Sequence, residues 1–167
     1  MCTLHRVPIT LAPRLESFDY LGFYRYFLTI CTFNRMRVFV EDEAVRLVMV
    51  ELARTSNDER FAVIAYCFMP DHIHLLAEGT HPASDFREFA RIFKQRSAFR
   101  WKERHGSALW QRSYYEHVLR NEEDTIGVAR YLLENPVRAG LVERPEDYPY
   151  LGSLTVSVRE LLYSVQI

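Results

Sequence analysis

Two histidines one residue apart, His72-Ile73-His74, lie in an apolar stretch that reads as a strand. Alternate side chains of a strand share a face, so both imidazoles leave one side about 6.6 Å apart at the backbone while Ile73 leaves the other. Nitrogens so placed can share one divalent cation, although two hydrogen-bonded sheet histidines give the same pattern. Tyr131 and Asn135 are four apart in a helical stretch, which stacks them on one helix face a turn apart. An amide oxygen is a hard metal ligand, and a phenol is a nucleophile that can take up a phosphoryl group. Read alone, the same pair is a half-buried packing tyrosine and a helix-end asparagine. Two imidazoles, an amide oxygen, a tyrosine and an arginine-rich helix together compose a site for phosphodiester chemistry.

The arginine-rich part is hidden by the average. The 167 residues carry 21 basic and 22 acidic side chains, a net charge of −1. Between positions 87 and 112, however, eight basic residues (Arg87, Arg91, Lys94, Arg96, Arg100, Lys102, Arg104 and Arg112) face only two acids, Glu88 and Glu103. Guanidinium forks suit bidentate phosphate contacts, so this segment is a candidate DNA-binding face, and a solvated amphipathic helix is its bland alternative. Other His-x-His chemistries fit less well. A histidine-triad hydrolase needs a third histidine where Leu76 stands, and two-motif phosphoesterases need a second His-x-Thr/Ser, which is absent. His117 reads as a sheet histidine, a DNA contact or a support for the site.

The elements that must position these groups follow from pattern. Aromatic and β-branched residues over 23–32 predict a buried strand. Residues 41–57 place Ala44, Val45, Val48, Met49 and Leu52 at helical spacing behind an acidic first turn. Strands over 61–69 and 72–78 flank the turn formers Pro70 and Asp71, giving a hairpin. Ser84 or Asp85 caps a long helix running to about residue 104, which His105 and Gly106 stop. One strand or two short ones are expected over 109–119. Asn121 then caps a last helix that Pro136 should end near Asn135. The order suggests an α+β fold, a ferredoxin-like sandwich with a mainly antiparallel sheet and helices on one face. An irregular arm over 1–21, containing Pro8 and Pro13, and a tail over 151–167 flank a domain over 22–150.

Composition narrows the class. With 49% hydrophobic and 26% charged residues the chain reads as an ordinary globular domain, and no apolar run reaches the roughly 20 residues of a membrane span. A cytoplasmic protein without membrane contact is expected. Three scattered cysteines, Cys2, Cys31 and Cys67, support neither a disulfide framework nor a Cys-x-x-Cys metal site.

Longer runs carry a resemblance. Tyr66-Cys67-Phe68-Met69-Pro70-Asp71-His72-Ile73-His74-Leu75-Leu76 resembles the His-hydrophobic-His motif of single-tyrosine (HUH) transposases. Arg130-Tyr131-Leu132-Leu133-Glu134-Asn135-Pro136-Val137-Arg138-Ala139-Gly140-Leu141-Val142 is similar to the signature closing the same domain in the branch associated with repetitive extragenic palindromes (REP). Trp110-Gln111-Arg112-Ser113-Tyr114-Tyr115-Glu116-His117-Val118 and Tyr26-Phe27-Leu28-Thr29 also fit that branch, in order. The resemblance implies a ferredoxin-like fold and cleavage of single-stranded DNA at or near a hairpin, leaving a 5′-phosphotyrosine and a free 3′-hydroxyl. It assigns Tyr131 as nucleophile and His72, His74 and Asn135 as ligands of Mg²⁺ or Mn²⁺, in a monomer or a homodimer, associated with the nucleoid when DNA is bound. Where the branch commonly has Asn before the first histidine, this chain has Asp71. Two alternatives share these residues: an idle DNA-hairpin-binding protein, and a replication-initiator or relaxase-type nickase.

Overall fold

The computed structural model describes residues 18–119 and 122–166. Strand β1 (Arg25–Cys31) leads through a 3-10 turn to helix α1 (Asp42–Asp58), then to the hairpin β2 (Phe61–Met69) and β3 (His72–Gly79). Helix α2 (Phe86–His105), strand β4 (Tyr115–Leu119), helix α3 (Glu122–Arg138), a two-residue strand β5 (Leu151–Gly152) and helix α4 (Val158–Ser164) follow. The sheet order is β4-β1-β3-β2-β5 and every neighbouring pair is antiparallel. The first four strands with α1 and α2 make the ferredoxin-like unit, and β5 adds an edge.

Two layers of helix cover the sheet. Tyr26, Leu28, Ile30, Ile73, Leu75 and Ala77 point toward α1 and α2 and form one core with Val48, Leu52, Phe86, Phe89 and Phe93. The expectation of helices on one face is met by these two alone. The opposite face is covered by α3 and α4, because Phe27, Ala65, Cys67, Met69 and Leu76 make it apolar too, and they pack with Val128, Leu132, Leu133, Leu161 and Leu162. A bulge makes this second face possible. The β2–β3 register shifts between Val63 and Ala65, so Phe61 and Val63 face the first core while Ala65, Cys67 and Met69 face the second. Leu132 is fully buried in the second core, so Leu132→Ala is expected to cost about 2–5 kcal/mol, read as a lower urea midpoint.

Several boundaries differ from the sequence pattern for local reasons. Asp85 caps α2, accepting from the backbone N–H of Arg87 and Glu88, and Gly106 ends it in the left-handed conformation. Only Tyr115–Leu119 of the 109–119 stretch is a strand; upstream, a single bridge joins Trp110 to Thr32. Pro136 lies inside α3 instead of ending it. The Asn135 side chain tolerates it: Nδ2 donates to Tyr131 O at 2.9 Å and lies 3.5 Å from Leu132 O, the carbonyl that the missing Pro136 N–H leaves unpaired. The helix ends two residues later at Arg138, and beyond it Leu141 N donates to Pro136 O and Gly140 N to Val137 O around Gly140 at φ +68°. The tail packs α4 against α3, and Arg130 donates twice to Val165 O. The Asn121 cap and the proline-containing part of the arm, residues 1–17, lie outside the described residues, and the end of the arm packs on the first core through Phe18 and Tyr20. Among the described residues no helix is long and apolar enough to cross a membrane.

Candidate active site

The short β2–β3 turn sets His72 and His74 on the face that carries α3. Antiparallel register puts Thr29 opposite His74 and Cys31 opposite His72, and same-face neighbours across β1 and β3 touch. Thr29 Oγ1 lies 2.8 Å from His74 Nδ1, and Phe27 stacks on the His74 ring with centroids 5.3 Å apart. His72 Nδ1 donates to Asp71 Oδ1 at 2.7 Å. The two free corners of the rings then meet, with the Nε2 atoms 3.1 Å apart. His74 is 4% exposed, whereas the His72 side chain, at 17%, borders solvent.

Helix α3 brings the phenol to this pair. Tyr131 packs edge-on to Phe27 at 6.2 Å and to His74 at 6.1 Å between ring centroids. Asn135 follows one turn later, and because its Nδ2 is directed back to the helix carbonyls, Oδ1 is the atom it offers to a ligand. Arg138, two turns from Tyr131 on the same face, holds its guanidinium 4.7 Å from the Tyr131 ring centroid and pairs with Glu134. Sequence reasoning passed over Arg138, although the spacing 131, 135, 138 is itself a helical stripe.

These donors fit a cation. A carboxylate only accepts, so the Asp71 bond fixes the His72 proton on Nδ1 and leaves Nε2 as a lone pair in the neutral ring. The Thr29 hydroxyl can accept from His74 Nδ1–H, which turns the second Nε2 lone pair toward the first. In that tautomer the two Nε2 lone pairs lie 3.1 Å apart and can share a cation, whereas in the other His74 Nε2–H donates to His72 Nε2; a hydroxyl and a carboxylate behind the rings are the outer supports that metal-binding histidines use. Burial, then the charges of His72 and Arg35, hold the His74 pKa well below its ordinary 6.5, against the opposing pull of Asp71, so the ring stays neutral as a ligand must. Among the described residues no group of three or more His, Cys, Asp and Glu side chains clusters for a metal.

That depressed pKa makes stability pH-dependent. Below pH 6.5 the unfolded chain takes up a proton that buried His74 refuses, so stability falls as pH drops from 6.5 toward the folded value. Urea melts in EDTA should show a lower midpoint at pH 5.5 than at pH 7.5, and His74→Gln should flatten the difference.

Comparison with known proteins places the chain. Residues 23–135, from the start of the sheet to Asn135, match the sequence profile of the family described as transposase, IS200 like. The chain belongs to the IS200-like transposase family. A candidate REP-associated tyrosine transposase of Haemophilus influenzae is 29% identical over 137 residues, spanning 75% of this chain and 77% of that protein. A REP-associated tyrosine transposase of Escherichia coli K12 is 25% identical over 129 residues, spanning 75% and 73%. A solved REP-associated tyrosine transposase bound to a REP hairpin shares the fold, with a TM-score of 0.70 over 84% of this chain and 82% of that one at 21% identity. A solved transposase candidate from Deinococcus radiodurans gives a TM-score of 0.51 at 27% identity, covering 72% and 96%.

In this IS200-like chain the basic residues do not gather at the histidines. Helix α2 lies on the other side of the sheet, and most of its cations are engaged. Arg96 pairs with Asp58, Arg100 with Glu51 and Glu103, Arg104 with Glu43, and Arg91 with Glu88. Arg87 covers the Tyr20 ring at 4.4 Å, and Lys102 is exposed. Phosphate contact by α2 therefore competes with pairs to α1. Lys94 donates to the carbonyls of Gln111 and Arg112, and Gln111 N donates to Cys31 O, which carries exposed Arg112 to the end of β1 where His72 sits. His117 stands opposite Phe27 and Tyr115 opposite Thr29, so β4 presents both on the face of the histidine pair.

Proposed function

We propose that this chain cuts and rejoins single-stranded DNA at or beside a hairpin, with Tyr131 as nucleophile and His72, His74 and Asn135 Oδ1 holding a divalent cation. The reading rests above all on one observation: the Tyr131 ring meets His74 on the sheet face where two Nε2 atoms converge to 3.1 Å. The hairpin is taken from the similar solved structure, which is bound to one. Mg²⁺ and Mn²⁺ are the candidate ions, and Mn²⁺ accepts nitrogen ligands more readily. Once bound, the ion supplies electrophilic activation of the scissile phosphate.

The chain's own groups do the rest. A phenol with a pKa near ~10 is mostly protonated at neutral pH, and the Arg138 guanidinium packs over the ring, 4.7 Å from its centroid. Tyr131 Oη bonds to the scissile phosphorus while the bond to the 3′ oxygen breaks; the phenol proton passes to water and the 3′ oxygen takes one up. A second 3′-hydroxyl then attacks the phosphotyrosine, the phenol leaves, and the strands are joined with the number of phosphodiester bonds conserved and no nucleotide cofactor spent. Helix α3 overlies β2 and β3, so the strand lies along the β1–β4 half of the face, past Tyr115 and His117, with Arg112 at its end.

Labelled hairpin-bearing single strands, incubated with protein in Mn²⁺ or EDTA and run on a denaturing gel, test this. The expected result is a Mn²⁺-dependent covalent band carrying the fragment 3′ to the cut. Tight binding without a band, across hairpins and metals, would overturn it in favour of an idle hairpin-binding protein.

A further inference from the structure

The turn that carries Asp71 is held at two backbone carbonyls, and the Asp71 carboxylate by one guanidinium, before it reaches His72. Its backbone carbonyl accepts from Thr32 N at 3.0 Å, and Thr32 Oγ1 lies 2.9 Å from the same oxygen. The neighbouring Pro70 carbonyl accepts from Phe39 N at 3.0 Å, so the β2–β3 turn is tied to the β1–α1 connection on both residues. The third hold is Arg35, whose Nε lies 2.9 Å from Asp71 Oδ2. Asn34 and Arg35 adopt left-handed backbone angles, φ 51° and 57°, an unusual choice for side chains with a Cβ. That doubled-back connection brings the guanidinium to the His72 end of the sheet, where Nη1 also donates to Cys31 Sγ at 2.6 Å. With Oδ2 taken by Arg35, Oδ1 is left to the His72 Nδ1–H at 2.7 Å. Burial opposes the charge on Asp71, but the His72 hydrogen bond and the His72 and Arg35 charges outweigh it and keep the carboxyl below its usual range.

We propose that Asp71, clamped by Arg35, is the positioning residue that fixes His72 in its Nδ1–H form and aims its Nε2 lone pair at the cation shared with His74. The inference rests on the reading of the histidine pair as a cation site, and it assigns a role to two residues outside the ligand set. Arg35 has no place in the sequence motifs. Only the backbone bonds between the β1–α1 connection and the β2–β3 turn bring it to the site, 36 positions before Asp71 in the chain.

Two measurements on the full chain test it. Mn²⁺ is titrated into the protein and the free ion read by electron paramagnetic resonance, for wild type, Arg35→Ala, Asp71→Asn, Asp71→Ala and His72→Ala. Removing an outer support of a metal-binding histidine weakens affinity by about 10–100-fold, which is the loss expected for Asp71→Ala. Asp71→Asn keeps an acceptor for Nδ1–H and loses only the Arg35 ion pair, so it should lie between Asp71→Ala and wild type, as should Arg35→Ala. The second readout is the ¹⁵N spectrum of labelled histidine without metal. His72 should be the Nδ1–H tautomer in wild type and in Asp71→Asn, and should shift toward Nε2–H in Asp71→Ala. A turn residue of purely structural importance would leave that tautomer alone. The clamp is overturned if His72→Ala loses Mn²⁺ while Asp71→Ala binds it like wild type, or if the tautomer does not move. Wild-type Mn²⁺ affinity in His72→Ala would instead remove the cation site itself.

Discussion

Tyr131→Phe is expected to abolish the covalent DNA adduct, a loss of at least about a thousandfold, while hairpin binding survives. The substitution deletes one oxygen and keeps the ring that packs edge-on to Phe27 and His74 and beneath Arg138. Its cost to folding should stay within the worth of a single hydrogen bond, about 0.5–1.5 kcal/mol. That separation of chemistry from stability makes the variant informative. Tyr163→Phe is the control, since Tyr163 is an exposed tyrosine on α4 rather than on α3. A persisting adduct in Tyr131→Phe, measured on the denaturing gel, would show that another group attacks the phosphate.

His74→Ala should be as damaging to cleavage and should also be felt in the fold. His74 is the buried member of the pair, so its removal opens a hole beneath Phe27 and leaves the Thr29 hydroxyl without its partner. A loss of about 2–4 kcal/mol is expected from the cavity and the unpaired group together. His72→Ala removes the other nitrogen at a more open position and should cost less stability for a comparable loss of Mn²⁺ binding. Urea midpoints and Mn²⁺ titrations on the two variants side by side check this ordering. Equal destabilisation by both would mean that the burial difference between the rings does not govern the site.

The difference between those two histidines already separates what is local from what is not. By itself the sequence determined the strand–helix order as far as α3, the hairpin around Pro70 and Asp71, a cap at Ser84 or Asp85 and the Gly106 stop of α2, because each depends on periodicity or turn chemistry within a few residues. It also determined that His72 and His74 share a face and that Tyr131 and Asn135 share another, since those are properties of a strand and a helix taken singly. Which faces meet is a tertiary matter. The bulge at Val63–Ala65, which turns Cys67 and Met69 toward α3, has no signature in a run of nine apolar and small residues. Nor does the pattern say that α3 would cover the second face of the sheet, that Pro136 would be carried inside that helix by the Asn135 amide, or that α4 would brace it. The charge count is the clearest case. Eight basic residues in one segment look like a surface for a polyanion, yet half of them answer acids on α1 or α2, because helices packed side by side bring their charged edges within reach. Conversely Arg35 and Arg138, unremarked in the sequence, stand at the histidine pair and the phenol. A site is assembled by contacts between elements distant in the chain, and only the folded sheet specifies those.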